Sequence, residues 1–183
     1  PDGSFGMQTE NMYGTYFSNP LSDLIQNENY SRSTQVYVNA FADIKLWKGL
    51  VFRTEYAANY NYNTGYRFTP SYDYEFFKQQ SSASRSAGNG SNWTLKTYLT
   101  YNGTFSKHNV SVMAGHEAQE NNWESLDGSR TNFLFNSVHE LNAGDATTAK
   151  ANSSRGSSAI ESYFGRLNYN FADRYLLTAT LRA

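Results

Sequence analysis

Cysteine is absent, which removes disulfide frameworks, iron–sulfur clusters, cysteine-containing zinc sites and cysteine nucleophiles, without identifying a compartment. Charge is sparse and balanced, with 15 Lys and Arg against 16 Asp and Glu in 183 residues. No basic stripe stands out, so the electrostatic footprint of nucleic-acid binding is missing. No apolar run approaches the ~18 residues of a spanning helix. Spanning strands stay open, because each needs only about 9–11 alternating residues. Hydrophobic content is 39%, under the roughly 45–50% usual for a soluble domain. Ser, Asn, Thr and Gly fill the gap rather than charge, which is 17%. What the chain does hold is aromatic, 15 Tyr and 12 Phe, residues that suit sheets and amphipathic interfaces.

Residues 1–31 carry little alternation. One short helix is expected over Pro20–Gln26, capped by Asn19 or Ser18, with Pro20 at the first helical position and Leu21, Leu24 and Ile25 on one side. From Ser33 the period becomes two. Val36, Val38, Ala40, Ala42, Ile44 and Leu46 share one face, and Tyr37, Asn39, Asp43 and Lys45 the other. After a turn at 47–49, with Gly49 free to take a positive φ, Leu50, Phe52, Thr54, Tyr56, Ala58, Tyr60 and Tyr62 oppose Arg53, Glu55, Asn59 and Asn61. Later strands follow the same rule: Trp93 to Phe105, Asn109 to about Asn122, Ser162 to Phe171 and Tyr175 to Ala183. Six strands result. The pattern runs to the last residue and the first is not Met, so the natural polypeptide is expected to continue.

Short turns at 47–49, 106–108 and 172–174 alternate with connections expected to be long, irregular and exposed, at about 65–91 and 125–158. Antiparallel strands then put every short turn at one end and both long loops at the other, the arrangement of outer-membrane barrels. The strands, about 9 to 15 residues long, exceed the usual five or six of a sandwich and suit a tilted crossing. Over 36–46, 50–62, 93–105, 110–114, 163–171 and 175–183 the apolar-face positions carry no charge, whereas the intervening positions carry Asp43, Lys45, Arg53, Glu55, Lys96, Arg166 and Arg182. A one-sided soluble sheet has the same parity. The lipid reading gains from Trp93, Tyr62 and Tyr163 towards the long-loop end and Phe105, Phe171 and Tyr175 towards the other, where an apolar layer would meet water.

Chemical motifs are weak. His116-Glu117-Ala118-Gln119-Glu120 approaches a zinc-helix pattern but ends in Glu and lies on a strand, where His116 and Glu117 point to opposite sides. His108 belongs to a turn and His139 to a loop, where solvated or locally hydrogen-bonded roles are the plain reading. No catalytic residue, metal site or cofactor is expected. Asp43 and Glu55 could face each other across a hairpin, but with Lys45 and Arg53 nearby they read as a solvated charge cluster rather than an acid–base pair. Tyr66, Phe68, Tyr72 and Tyr74 are the better ligand candidates, since such rings stack on sugars or peptide apolar groups; packing within the loop is the alternative.

The segment SYFGRLNYNFADRYLLTATLRA at 162–183 resembles a barrel segment of SusC/RagA-type TonB-dependent outer-membrane transporters. SNPLSDLIQNENY at 18–30, LWKGLVFRTEYAANY at 46–60, NWTLKTYLTYNGTFSKHNVSVMAGHEAQE at 92–120 and NWESLDGSR at 122–130 resemble further blocks in the family's order. That resemblance implies an all-β fold, an antiparallel long-stranded meander forming part of a barrel of about 22 strands. Residues 1–31 would be an extracellular-side loop with the short helix, and 32–183 part of the barrel. It implies uptake of oligosaccharides or peptides with TonB energy at the bacterial outer membrane rather than enzymatic chemistry. The implied partners are membrane lipid, a SusD-like surface lipoprotein, the glycan or peptide substrate, and the TonB complex through parts of the parent not in this chain. Asn39, Asp43, Arg53, Glu55, Asn59, Lys96, Arg166 and Asn168 would face the lumen. A soluble carbohydrate-binding or structural sheet protein, with Val36, Val38, Leu95, Leu99 and Leu167 in a core, is the main alternative; a passive porin segment is another.

Overall fold

The computed structural model describes residues 21, 24, 25, 27–74 and 77–183. Among these the strands are β1 Glu28–Trp47, β2 Leu50–Thr69, β3 Tyr72–Tyr74, β4 Phe77–Gln79, β5 Ser82–Phe105, β6 His108–Thr131, β7 Lys150–Phe171 and β8 Tyr175–Arg182. Two 3-10 turns, η1 Leu141–Ala143 and η2 Ala146–Thr148, separate β6 from β7. The large sheet is ordered β1-β2-β5-β6-β7-β8, and β3 pairs with β4 apart from it. Leu21, Leu24 and Ile25 are helical; the rest of the helix expected over Pro20–Gln26, and all of 1–19, lie outside the described residues. No helix among the described residues is long and apolar enough to cross a membrane, which leaves crossing by strands untouched.

All three tight turns fall where the period-two pattern breaks. Gly49 has φ +82 and accepts a 2.8 Å hydrogen bond from the Asn102 amide. A Cβ there would sit 2.2 Å from the Asn102 carbonyl oxygen, so both the left-handed backbone and the close approach call for glycine. Ser106 closes its turn with φ 55, and Ala172 and Asp173 close the last with φ 55 and 56. Left-handed backbone costs an L-residue roughly 1–2 kcal/mol. At 172–174 local bonds offset that cost: Asn170 donates to the Asp173 carboxylate at 2.7 Å and accepts from the Asp173 amide at 3.1 Å. The register beyond it pairs Phe171 with Tyr175 and Phe164 with Arg182.

The strands are longer than the sequence suggests. β2 continues to Thr69 and β5 begins at Ser82, so most of 65–91 is ladder rather than irregular loop; β6 runs to Thr131 and β7 starts at Lys150, which shortens the second connection to 132–149. Alternation signals a difference between two faces. SSASRSAGNGS and ANSSRGSS have small polar side chains on both, so their extended backbone is specified by pairing with neighbouring strands, which a periodicity reading does not detect.

The residues group into two compact units. In the first, whose described residues lie within 21–34, 62–89 and 124–155, Tyr66, Phe68, Ala83 and Phe133 form a small core, with Leu141 and Ala143 packed on it. Phe68 is wholly buried and meets Phe133 edge-on at 5.5 Å. We call this the extension unit. The second, residues 35–61, 90–123 and 156–183, is the wall unit. No hydrophobic residue among its described residues is buried; Val36, Val38 and Leu99 are 52%, 51% and 41% exposed. A soluble sheet protein would need those side chains in a protein core. Their exposure fits a sheet whose apolar face meets lipid.

Candidate functional site

Two groups of polar side chains in the wall unit link neighbouring strands. In the first, the β1–β2 hairpin sets Asp43 beside Arg53, with Arg53 Nε 3.4 Å from Asp43 Oδ1 and 2.8 Å from Glu55 Oε1. That nitrogen is out of line for a hydrogen bond, so it is held by charge alone. Its guanidinium lies over the Phe41 ring, 4.7 Å from the centroid. Tyr98 on β5 donates to Glu55 at 2.9 Å and its ring approaches Phe164 of β7 at 6.2 Å. Gly115 lies between them on β6. A Cβ there would fall 2.4 Å from Tyr98 Cβ and 2.7 Å from the Thr97 carbonyl oxygen, so the aromatic contact depends on a residue without a side chain.

Glu117 organises the second group. Lys96 Nζ is 3.4 Å from one carboxylate oxygen, and Arg182 donates to the other at 3.1 Å and to the Ser162 hydroxyl at 3.2 Å. Arg166 donates to Thr180 at 3.4 Å, and Asn168 accepts from Thr178 at 3.1 Å. The ion pairs of Lys96 and Arg182 with Glu117, each with one exposed partner, contribute on the order of 1 kcal/mol. They position charge more than they stabilise the sheet.

Of the residues expected to face a lumen, the structure therefore joins Asp43, Arg53 and Glu55 in one group and ties Lys96 to another, with Arg166 and Asn168 paired to β8. Asn59 is in β2 with its side-chain oxygen buried and unbonded, and Asn39 is an exposed residue of β1. Glu117, Tyr98 and Arg182 complete these groups and were not singled out as site residues. Hairpin arithmetic would have found Glu117, since a turn at Ser106 and Lys107 sets Phe105 opposite His108 and hence Lys96 opposite Glu117. His116 and Glu117 do part company as their strand parity requires. His116 Nε2 lies 2.8 Å from Glu161, which also accepts from the Tyr163 hydroxyl at 3.1 Å. Among the described residues no group of three or more His, Asp or Glu could hold a metal ion.

The aromatic ligand candidates belong to the extension unit. Tyr66, Phe68 and Tyr72 are 5%, 0% and 8% exposed, so none offers a free ring face, and of their two readings burial fits packing. Tyr74 is a backbone partner of Phe77 in the β3–β4 hairpin. Tyr66 donates to the His139 carbonyl at 3.2 Å, under the Arg85 guanidinium 4.6 Å from its centroid. Burial, then the Glu28 carboxylate, raise the Tyr66 pKa above the ordinary phenol value, which keeps the hydroxyl a donor.

Similarity to known proteins bears on what this sheet belongs to. No family model matches the chain. TonB-dependent receptor P3 of Formosa agariphila is 27% identical over 178 residues, covering 97% of this chain and 18% of the receptor. TonB-dependent receptor P39 of the same organism is 27% identical over 178 residues, covering 90% of this chain and 16% of its own length. The homology is to TonB-dependent receptors. The chain thus spans about a fifth of the length of the relatives it matches, and the homology places it in the outer membrane. The RagAB peptide importer in its open-open state shares the fold, with a TM-score of 0.84 and 20% identity over 98% of this chain and 20% of that one. The large sheet is accordingly part of a transmembrane barrel wall.

Proposed function

We propose that this chain is a wall section of an active outer-membrane transporter that imports peptides or oligosaccharides with energy delivered by TonB. The observation that carries the reading is the sequence match to TonB-dependent receptors along 97% of the chain. The division of the wall unit into an exposed apolar face and a face with two charge groups supports it, since a barrel wall needs lipid on one side and a polar lumen on the other. In this reading Asn39, Asp43, Arg53, Glu55, Asn59, Lys96, Arg166 and Asn168, joined by Glu117, Tyr98 and Arg182, line the lumen. The turns at 47–49, 106–108 and 172–174 face the periplasm, and residues 1–31 and the connections within 65–91 and 125–158 face outward. Tyr66, Phe68 and Tyr72 then act on substrate through the loop they hold rather than by stacking, and Tyr74 is carried by the β3–β4 hairpin.

The partners are membrane lipid, a SusD-like lipoprotein over the mouth, the substrate, and the TonB complex acting on parts of the parent outside this chain. The wall residues do no covalent chemistry; they present fixed charge to a route that opens elsewhere. Uptake of labelled oligopeptides and oligosaccharides by cells carrying the full-length receptor, with and without TonB, tests this. TonB-dependent uptake of one class is expected. Uptake that survives loss of TonB would mean a passive pore.

A further inference from the structure

At the end of the wall unit away from the three tight turns, one row of residues crosses four strands: Asn61 on β2, Gly90 on β5, Trp123 on β6 and Gly156 on β7. The register that sets Lys96 opposite Glu117 sets Gly90 opposite Trp123, six residues further along each strand. Side-chain contacts agree. A Cβ at Gly156 would fall 2.5, 2.7 and 2.9 Å from Cζ2, Cε2 and Nε1 of Trp123, and one at Gly90 would fall 3.0 Å from both amide heteroatoms of Asn61. The indole therefore lies down on the backbone at Gly156, which is half-buried although residues 157–161 beyond it are exposed.

Glycine on both flanking strands leaves no side chain standing against the ring. One ring face rests on backbone and the other is open, with Trp123 47% exposed. Glu117 and Ser162 share Arg182, and Trp123 and Gly156 lie an even number of residues from them, so all four belong to the face that lines the lumen in the transport reading. The next row on that face is Asn59, Asn92, Asn121 and Ser158. Asn59 Oδ1 is a buried acceptor with no hydrogen bond. Neither row holds a charge, and Glu55, Lys96 and Glu117, the nearest charges on this face of the wall unit, are six residues from the first row, about 20 Å along the strands.

We propose that Trp123, seated on Gly156 with the amides of Asn59, Asn61, Asn92 and Asn121 around it, is a stacking platform for a neutral sugar ring of an imported oligosaccharide. The proposal rests on the transport reading and, within it, selects oligosaccharide over peptide. A sugar ring has C–H bonds on its faces and hydroxyls round its edge. Its face matches the open side of the indole, and its hydroxyls match amides, each of which both donates and accepts. The charged ends of a short peptide, or an acidic sugar, would find no partner of opposite sign in either row.

The test is calorimetric binding to the purified full-length receptor in nanodiscs, with heat-modified gel mobility as the control that the barrel is folded. The probes are neutral hexasaccharides of glucose, galactose and mannose, a hexauronate, and a mixture of short peptides. A neutral hexasaccharide should bind, and Trp123→Ala should weaken it roughly tenfold. Trp123→Phe keeps a ring and should restore most of that loss. Gly156→Ala keeps the indole but lifts it off its seat, and should weaken the same sugar. The assay contains no TonB, so a receptor that proves a passive pore can still bind sugar through Trp123, and the two readings fail separately. Unchanged sugar affinity in folded Trp123→Ala overturns the platform, as does binding of only the hexauronate or the peptides, or of none of the probes.

Discussion

The wall unit and the extension unit are made of the same strands in sequence and obey different rules. In the wall, large apolar side chains are exposed, and charged side chains gather around Arg53 and around Glu117. In the extension, the apolar side chains are few and buried around Phe68. The wall therefore takes its stability from a membrane, and the extension supplies its own core. A strand needs about 9–11 residues to cross; β5 and β6 have 24 each. The surplus is built as ladder with a core rather than as loose loop.

That contrast can be broken from either side. The largest effect is expected from Phe68→Ala, which removes a fully buried ring and should cost the extension unit about 3–5 kcal/mol. Amide exchange should accelerate in 62–89 and 124–155 while 92–105 and 109–122 stay protected. Uniform acceleration would mean the two units do not behave separately. Next comes Leu99→Arg, a charge on the lipid face, at about 2–4 kcal/mol near the midplane. Thr100→Arg on the opposite face should assemble nearly normally, and equal assembly yields for the two would undo the face assignment. Gly115→Ala puts a methyl where Tyr98 and the Thr97 carbonyl already sit, and overpacking of this kind costs roughly 1–3 kcal/mol. A thermal melt in detergent should show it, with the extension core unchanged.

The smallest effect is expected at Asp145. Its pKa is lowered, first by the backbone bond from Thr147 and then by the Thr147 hydroxyl. A lowered carboxylate pKa means the turn at Ala146–Thr148 is held above the ordinary Asp range and released as pH falls through the lowered value. Resonances of Thr147 and Thr148 followed down from pH 6 should report that release, and Asp145→Asn should abolish its acid dependence.

Legibility in the sequence follows the same division. Val36 to Leu46, Leu50 to Tyr62 and Tyr175 to Leu181 were readable because lipid on one face and polar groups on the other impose a period of two. The turns were readable too, where Gly49 and the Asn170–Asp173 pair interrupt that period. Ser82 to Ser91 and Lys150 to Ser158 were not, because neither face there contrasts with the other and only a neighbouring strand makes them extended. Tyr66 and Phe68 were visible as aromatics, but their burial depends on Phe133 and His139, some 65 residues or more away in sequence, and no local pattern encodes that meeting. Asp43 with Arg53 could be foreseen across one hairpin. Arg182 with Glu117 could not, because they sit on strands separated by β7.

The central claim is that the wall unit crosses the outer membrane with its short turns inside and its strand extensions outside. Single thiols at Ser153 and at Lys107, in a full-length receptor freed of any other cysteine, can be probed with an impermeant maleimide on intact cells. The account predicts that Ser153→Cys labels at once and Lys107→Cys only after the outer membrane is permeabilised. Labelling in the reverse order, or of both sites in intact cells, would contradict it.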